Sequence, residues 1–388
     1  MRIRRITSIL LSLLMLLCVL SVPASVATAD DENVKNVIYM IGDGMGENHL
    51  LLAREQGYDL FMDTTYDLRG QQRTRSFSSA VTDSAAGATA LSCGVRTTNR
   101  YLGVYAFDPF GVFVQARSIT ENAIRHGMRT GIVTTDGTTG ATPAGFSVHV
   151  QDRGKGEKIT KQQLNSDIDL IWGAACEEVQ EADVKAKGWT YVTTKDEMNA
   201  LTPGERSFAQ FSWDTWRLNV PEGDASPTLA EMTVKALELL DYNNERGFFI
   251  MIEGAHIDKN SHRTEEGEHF DAKVKDAAEA VKGFDNAIRA AVEFARQDGN
   301  TIVVVTADHE TGDLYPENGV YTFHSGSHTG KNVPVLVWGC DDLIAPGSVI
   351  DNKDIPVLLA ERLGWESEEL PHADAGLMFG WMRKLFRS

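Results

Sequence analysis

Five apolar runs constrain this chain more than any other feature: Val34 to Ile41, Thr130 to Thr134, Gly247 to Ile252, Thr301 to Thr306 and Val333 to Trp338. Each is short, rich in β-branched residues and bounded by turn formers, which is the pattern of a strand buried on both faces. Strands buried in that way belong to parallel sheets covered by helices. Helical stretches lie between the runs. Pro227 to Leu240 reads as a helix with Ser226 as N-cap and Pro227 in its first position, and a longer one runs from about Phe270 to Arg296 and stops at Asp298-Gly299. The alternation predicts an α/β fold, a central mostly parallel sheet with helices on both faces. No repeat or linker divides residues 30–388, which read as a single domain. Residues 155–225 are more polar and irregular and form a candidate peripheral insertion.

The first 29 residues stand apart. Arg2, Arg4 and Arg5 precede the apolar stretch Ile9 to Leu20, then Pro23 and Ala27-Thr28-Ala29. A basic start, a short apolar centre and small residues at the end describe a secretory signal peptide, with cleavage expected after Ala29. The expected location is the periplasm or the extracellular space. Leu17 before Cys18 does not suit lipoprotein processing. Acidic side chains outnumber basic ones 55 to 37, a net charge of -18, which argues against a broad nucleic-acid footprint. The expected ligand is small, or reached through a metal. Cys93, Cys176 and Cys340 have no metal-ligand spacing, and both one disulfide and three buried thiols remain open. The apolar and basic stretch Gly376 to Arg387 suits either an interfacial helix making peripheral membrane contact or a helix docked on the core or a partner subunit.

Ligands of open α/β sheets bind beyond the carboxyl ends of the strands. Three of the runs release acids or histidines there: Asp43 after the first, Glu253 with Asp258 and His262 after the third, Asp308 and His309 after the fourth. A mixed carboxylate and imidazole set without cysteine suits zinc or another divalent transition metal, and the number of ligands implies two ions. Asp258 and His262 are four apart, so on a helix they share one face.

These residues sit in blocks that carry a resemblance: Gly42-Asp43-Gly44-Met45-Gly46, Thr82-Asp83-Ser84-Ala85-Ala86, Ala141-Thr142-Pro143-Ala144, Glu253-Gly254-Ala255-His256-Ile257-Asp258 with His262, Thr306-Ala307-Asp308-His309-Glu310-Thr311-Gly312, and His328-Thr329-Gly330. From about residue 34 to 340 the chain resembles alkaline phosphatases. The resemblance implies one zinc held by Asp258, His262 and His328, and a second held by Asp43, Asp308 and His309. It leaves His324 as a loop residue or an outer supporting residue, because the family motif is His-Thr-Gly. It implies Ser84 as the nucleophile, at the start of an Ala-rich helix whose amides favour a phosphate; a plain N-cap is the competing role for that serine. Arg153, eleven residues beyond Thr142, matches the family's substrate arginine, whose planar fork holds two phosphoryl oxygens.

The family also has a magnesium-type site built from the counterparts of Asp43, Thr142 and Glu253, plus an Asp or His two residues before the threonine. That position here is Gly140. The expectation is a weakened magnesium site with an extra water in the empty place. The competing idea is that Asp136 reaches in from four residues upstream, although Asp136-Gly137 reads first as a turn signal. The function implied is exported hydrolysis of small phosphate monoesters through a phosphoserine, broad in substrate, alkaline in optimum and homodimeric. A phosphodiesterase or sulfatase of the same metal-dependent superfamily, and a metal- or phosphate-binding protein without activity, are the alternatives. Cys93-Gly94-Val95-Arg96 lacks the Cys-x-Pro-x-Arg pattern that sulfatases need.

Overall fold

The computed structural model describes residues 34–106, 113–262 and 270–366. The signal segment and the stretch Gly376 to Arg387 lie outside the described residues. The ten strands of the main sheet are β1 (Asn36–Gly42), β2 (Leu68–Arg73), β3 (Arg129–Gly137), β4 (Leu170–Ala174), β5 (Thr190–Val192), β6 (Ser207–Phe211), β7 (Phe248–Gly254), β8 (Thr301–Thr306), β9 (Val333–Trp338) and β10 (Val349–Asp351), in the spatial order β10-β2-β9-β8-β1-β7-β3-β4-β6-β5. From β8 to β5 every pairing is parallel.

Alternate residues of the central strands enter two different cores, which is why the runs are apolar throughout. Ile38, Met40, Ile250 and Ile252 pack under helices α3 (Leu229–Asp241) and α5 (Phe270–Asp298). Val37, Tyr39, Phe249 and Met251 face the opposite layer, with Ile119, Ala123 and Leu359. The predicted architecture is therefore present, with three corrections. β9 runs antiparallel to both β8 and β2, so the fifth run is not one of the parallel strands. Residues 155–225 supply β4, β5 and β6, which continue the same sheet. The N-cap of α3 is Thr228, whose hydroxyl accepts from the Glu231 amide while Glu231 reaches back to the Thr228 amide. Ser226 instead accepts from the Ser212 amide. α5 ends where its sequence signal put the end, at Asp298, with Gly299 in the left-handed region. Among the described residues no helix is long and apolar enough to cross a membrane, and Cys93, Cys176 and Cys340 are free thiols.

Candidate metal centre

The carboxyl ends of β1, β7 and β8 meet at the middle of the sheet, and each strand stops as its acid emerges. Asp43 follows β1, Glu253 is the penultimate residue of β7, and Asp308 and His309 follow β8. All four are buried. Gly44 follows Asp43 with a φ of +75°, and a Cβ there would sit 2.8 Å from both the Asp258 Cβ and the Thr311 hydroxyl. Only glycine permits that turn and that approach. Its amide donates to Asp308 Oδ1 at 3.2 Å. β7 leads into the short helix α4 (His256–Ser261), which carries Asp258, with His262 at its C-cap.

Two trios result. Asp43, Asp308 and His309 have donor atoms all within 4.8 Å of one another, and so do Asp258, His262 and His328. The partition is the one the resemblance implies. Each histidine is aimed from behind: His262 Nδ1 lies 2.9 Å from the Gly326 carbonyl and His328 Nδ1 3.0 Å from the Thr82 carbonyl, so each donates there and turns Nε2 inward. His309 Nδ1 lies 3.2 Å from the Thr311 hydroxyl. His324 joins neither trio and stacks on Tyr315, with ring centroids 3.4 Å apart.

The electrostatics of this cluster leave buried carboxylates without a counter-charge. His309 Nε2 lies 3.4 Å from Asp43 Oδ1, 3.2 Å from Asp308 Oδ2 and 3.2 Å from Ser84 Oγ. One imidazole nitrogen cannot satisfy three oxygens, and Asp43 Oδ1 and Asp308 Oδ2 remain without a hydrogen bond in the interior. Burial, then the neighbouring Asp308 and Asp258, holds the Asp43 carboxyl well above its ordinary range. Burial and Asp258 raise Asp308 to about 6. Burial and the charge of Asp136 raise Glu253 to about 8. Burial and the adjacent His328 keep His309 neutral. Asp258 departs from this pattern. Burial would raise it, but the hydrogen bond from His262 and the three surrounding histidines outweigh that and hold it low. The unpaired inward oxygens and inward-facing imidazoles form groups that could hold a divalent metal.

Ser84 opens helix α1 (Ser84–Cys93), and its capping role is taken by Asp83, whose carboxylate accepts from the Ala86 amide at 3.0 Å. The competing N-cap reading of Ser84 therefore fails, and its hydroxyl faces the cluster. Gly87 lets this helix lie against Asp308, with a Cβ there only 3.0 Å from that residue. Arg153 Nη1 reaches Asp83 Oδ2 at 3.4 Å, so the arginine stands over the start of the same helix. The open cleft beside it is lined by Asp136, Gly140, Cys176 and Trp213.

Thr142 lies in the short helix α2 (Ala141–Gly145), buried beside Glu253, and both Thr142 Oγ1 and Glu253 Oε1 lack a hydrogen-bond partner. Gly140 does not leave the open place expected from sequence. A Cβ there would lie 2.4 Å from Asp136 Oδ2, and Asp136 itself is nearly buried at the end of β3, where the register shifts between Val133 and Gly137. Asp136-Gly137 is strand end rather than turn. Sequence reasoning also passed over Lys259, whose ammonium is 2.9 Å from Asp136 Oδ1, and Thr311, which donates to Asp258. Lys259 follows Asp258 directly and Thr311 lies two residues beyond His309, but nothing in their spacing marks a role.

The family profile described as alkaline phosphatase matches residues 34–174 and 172–326. Alkaline phosphatase 4 of Bacillus subtilis is 31% identical over 324 residues, spanning 78% of this chain and 67% of that protein. The alkaline phosphatase of Escherichia coli is 31% identical over 347 residues, 72% of this chain and 70% of its own. The solved alkaline phosphatase of the Antarctic bacterium TAB5 superposes with a TM-score of 0.68 at 29% identity, covering 86% of this chain and 99% of that one. A variant of it with a histidine replaced by aspartate has magnesium bound in its M3 site, with a TM-score of 0.67 and 30% identity over the same shares of the two chains.

Proposed function

Because the chain belongs to the alkaline phosphatase family and is a phosphomonoesterase, we propose that it cleaves small phosphate monoesters through a covalent phosphoserine on Ser84, with two zinc ions as resident cofactors. The observation that carries this is the pairing of two ligand trios with a serine hydroxyl that faces them 3.2 Å from His309. Asp258, His262 and His328 would hold one ion, and Asp43, Asp308 and His309 the other. When bound, such ions lower the pKa of a coordinated hydroxyl or water and neutralise the charge on a departing oxygen.

The chain's own residues do the rest. Arg153, steadied by Asp83, offers its fork to two phosphoryl oxygens, and the amides that open α1 face the same anion. The Ser84 oxygen attacks phosphorus in line and its proton leaves with the ester oxygen as the alcohol; a water then displaces the serine, whose oxygen takes up the proton that the water gives up. No side chain in the cluster is placed as a strong general acid, which suits an alkaline optimum. The cleft beside Arg153 is open, so little selects the alcohol half, and a broad substrate range follows. Asp43, Thr142 and Glu253 form a third, oxygen-rich set that suits magnesium; the TAB5 variant with magnesium in its M3 site supports a further cation in this fold. Export rests on the signal-like residues 1–29, and a homodimer on the family resemblance.

The test is turnover of p-nitrophenyl monoester, diester and sulfate substrates with and without chelator. Monoester hydrolysis that disappears on metal removal and returns with zinc is expected. Preference for the diester or the sulfate would sink the reading.

A further inference from the structure

Position 140 carries no carboxylate, but the space that its side chain would enter is filled by Asp136 from four residues upstream. Gly140 precedes Thr142 by two residues at the start of α2, and its absent side chain would enter space already taken: a Cβ would meet Asp136 Oδ2 at 2.4 Å and the Asp136 Cγ at 2.7 Å. Any side chain at 140 and the present Asp136 side chain are therefore mutually exclusive. Asp136 is not there by accident of an exposed loop. It is only 9% exposed, its Oδ1 accepts from the Gly137 amide at 2.8 Å, and the same oxygen takes the Lys259 ammonium at 2.9 Å. Lys259 follows the candidate ligand Asp258 directly, and its charge is felt by both Asp43 and Glu253. Asp136 in turn is the strongest charged influence on Glu253. The carboxylate thus stands at the rim of the oxygen-rich set, next to two buried oxygens, Thr142 Oγ1 and Glu253 Oε1, that have no partner.

We propose that Asp136 occupies the place of a residue-140 carboxylate and completes the third cation site, with Lys259 locking it in position. The proposal rests on the metal-dependent phosphomonoesterase reading and extends it. Asp136 Oδ1 is already engaged by the Gly137 amide and the Lys259 ammonium, so the carboxylate acts on the cation through an intervening water rather than as a direct ligand. Asp136 is in this sense a positioning residue. Its carboxylate orients that water, and its grip on Lys259 keeps the ammonium from pairing with the carboxylates that would hold the ion. The bulged end of β3 makes this possible, because the register shift after Val133 lets residue 136 fold back towards α2.

The test is calorimetric titration of zinc-loaded protein with magnesium, alongside the thermal midpoint without magnesium. Asp136→Asn keeps an oxygen for the Gly137 amide but removes the charge, and magnesium affinity should drop about 10- to 100-fold, the usual effect of losing an outer partner of a metal site; the magnesium-free midpoint, lowered by loss of the Lys259 ion pair, shows that the variant is still folded at the titration temperature. Gly140→Asp alone should not tighten binding, because its side chain enters only by displacing the Asp136 carboxylate. Asp136→Ala/Gly140→Asp should bind magnesium more tightly than Asp136→Ala, since it returns a carboxylate to the same space. Unchanged affinity in Asp136→Asn, or a double variant no better than Asp136→Ala, overturns the proposal. If wild-type protein hydrolyses monoesters but takes up no magnesium, the third site and this proposal fall together while the phosphomonoesterase reading stands.

Discussion

Stripping the metals should make the protein's stability fall as pH rises through neutrality, and the size of the fall follows from the buried acids. Glu253 is fully buried and raised from 4.5 to about 8, so between those values the native state keeps a proton that the unfolded chain has released. Stability then decreases with rising pH, at about 1.4 kcal/mol per pH unit for each such group. Asp43 is raised in the same sense. His262, raised by its hydrogen bond to Asp258, adds stability below its unfolded value that is lost as pH rises through its folded one. His309 opposes them, because burial keeps it neutral where the unfolded chain would protonate it, but that term is exhausted above about pH 6.5. Asp258 is held low, so its contribution is lost only below about pH 4. The clean window is pH 6.5 to 8. Across its roughly 1.5 units Glu253 alone contributes about 2 kcal/mol, and His262 acts in the same direction. Urea unfolding followed by tryptophan fluorescence measures this, in chelator and in excess zinc and magnesium, at both ends of the window. With zinc on its two proposed trios and magnesium on the Asp43, Thr142 and Glu253 set, these carboxylates are ionised in both states, so the advantage of the loaded form should widen by about 2 kcal/mol on going to pH 8. A chelated protein whose stability is flat or rises across the window would refute the assignment of these acids as uncompensated buried charge.

Other perturbations address single residues. Ser84→Ala should abolish the acid-stable phosphoenzyme formed from labelled substrate and lower kcat by orders of magnitude while leaving zinc content unchanged; unaltered turnover would return Ser84 to a structural role. Arg153→Ala removes a charge-assisted bidentate contact worth about 1.5 to 3 kcal/mol, so inhibition by inorganic phosphate should weaken roughly 10- to 150-fold. Inhibition that does not change would assign phosphate binding to another cation. Gly44→Ala forces a left-handed residue and a Cβ 2.8 Å from Asp258, a combined cost of roughly 2 to 5 kcal/mol. It should reduce zinc retention as well as stability, and wild-type zinc content at equilibrium would contradict the close packing described for that turn.

Much of this was legible in the sequence, for reasons particular to each element. The runs at Val34, Gly247 and Thr301 announced central strands because both faces are buried, which removes the polar half of the usual alternation. The run at Val333 announced a strand with equal force but not its direction, since six apolar residues read alike either way. β2, Leu68-Arg69-Gly70-Gln71-Gln72-Arg73, was silent because its arginines and glutamines are partly exposed or hydrogen-bonded, as Gln72 is to the Ala307 carbonyl. The candidate ligands were visible because each leaves a strand at its carboxyl end. Asp136 was obscured by its neighbour Gly137, whose local signal is a turn, whereas the pairing with Lys259 joins residues 123 positions apart and has no local signature. The cap of α3 was misplaced by two residues because Ser226-Pro227 is as good an opening signal as Thr228 with Glu231, and only the reciprocal hydrogen bonds decide between them.

The central place of β1 has a consequence for how the molecule is made. Asn36 donates to the Thr301 hydroxyl at 3.1 Å across a separation of 265 residues, and the other flank of β1 pairs with residues 249–254. The strand that starts the described chain therefore waits for neighbours that are synthesised near its end, and loops of that length carry a large closure entropy before any pairing repays it. Asp43 cannot meet Asp308 until the sheet has closed around it. Metal uptake should be among the last events of folding, and the appearance of zinc-dependent protection in a refolding time course would mark the moment the sheet is complete.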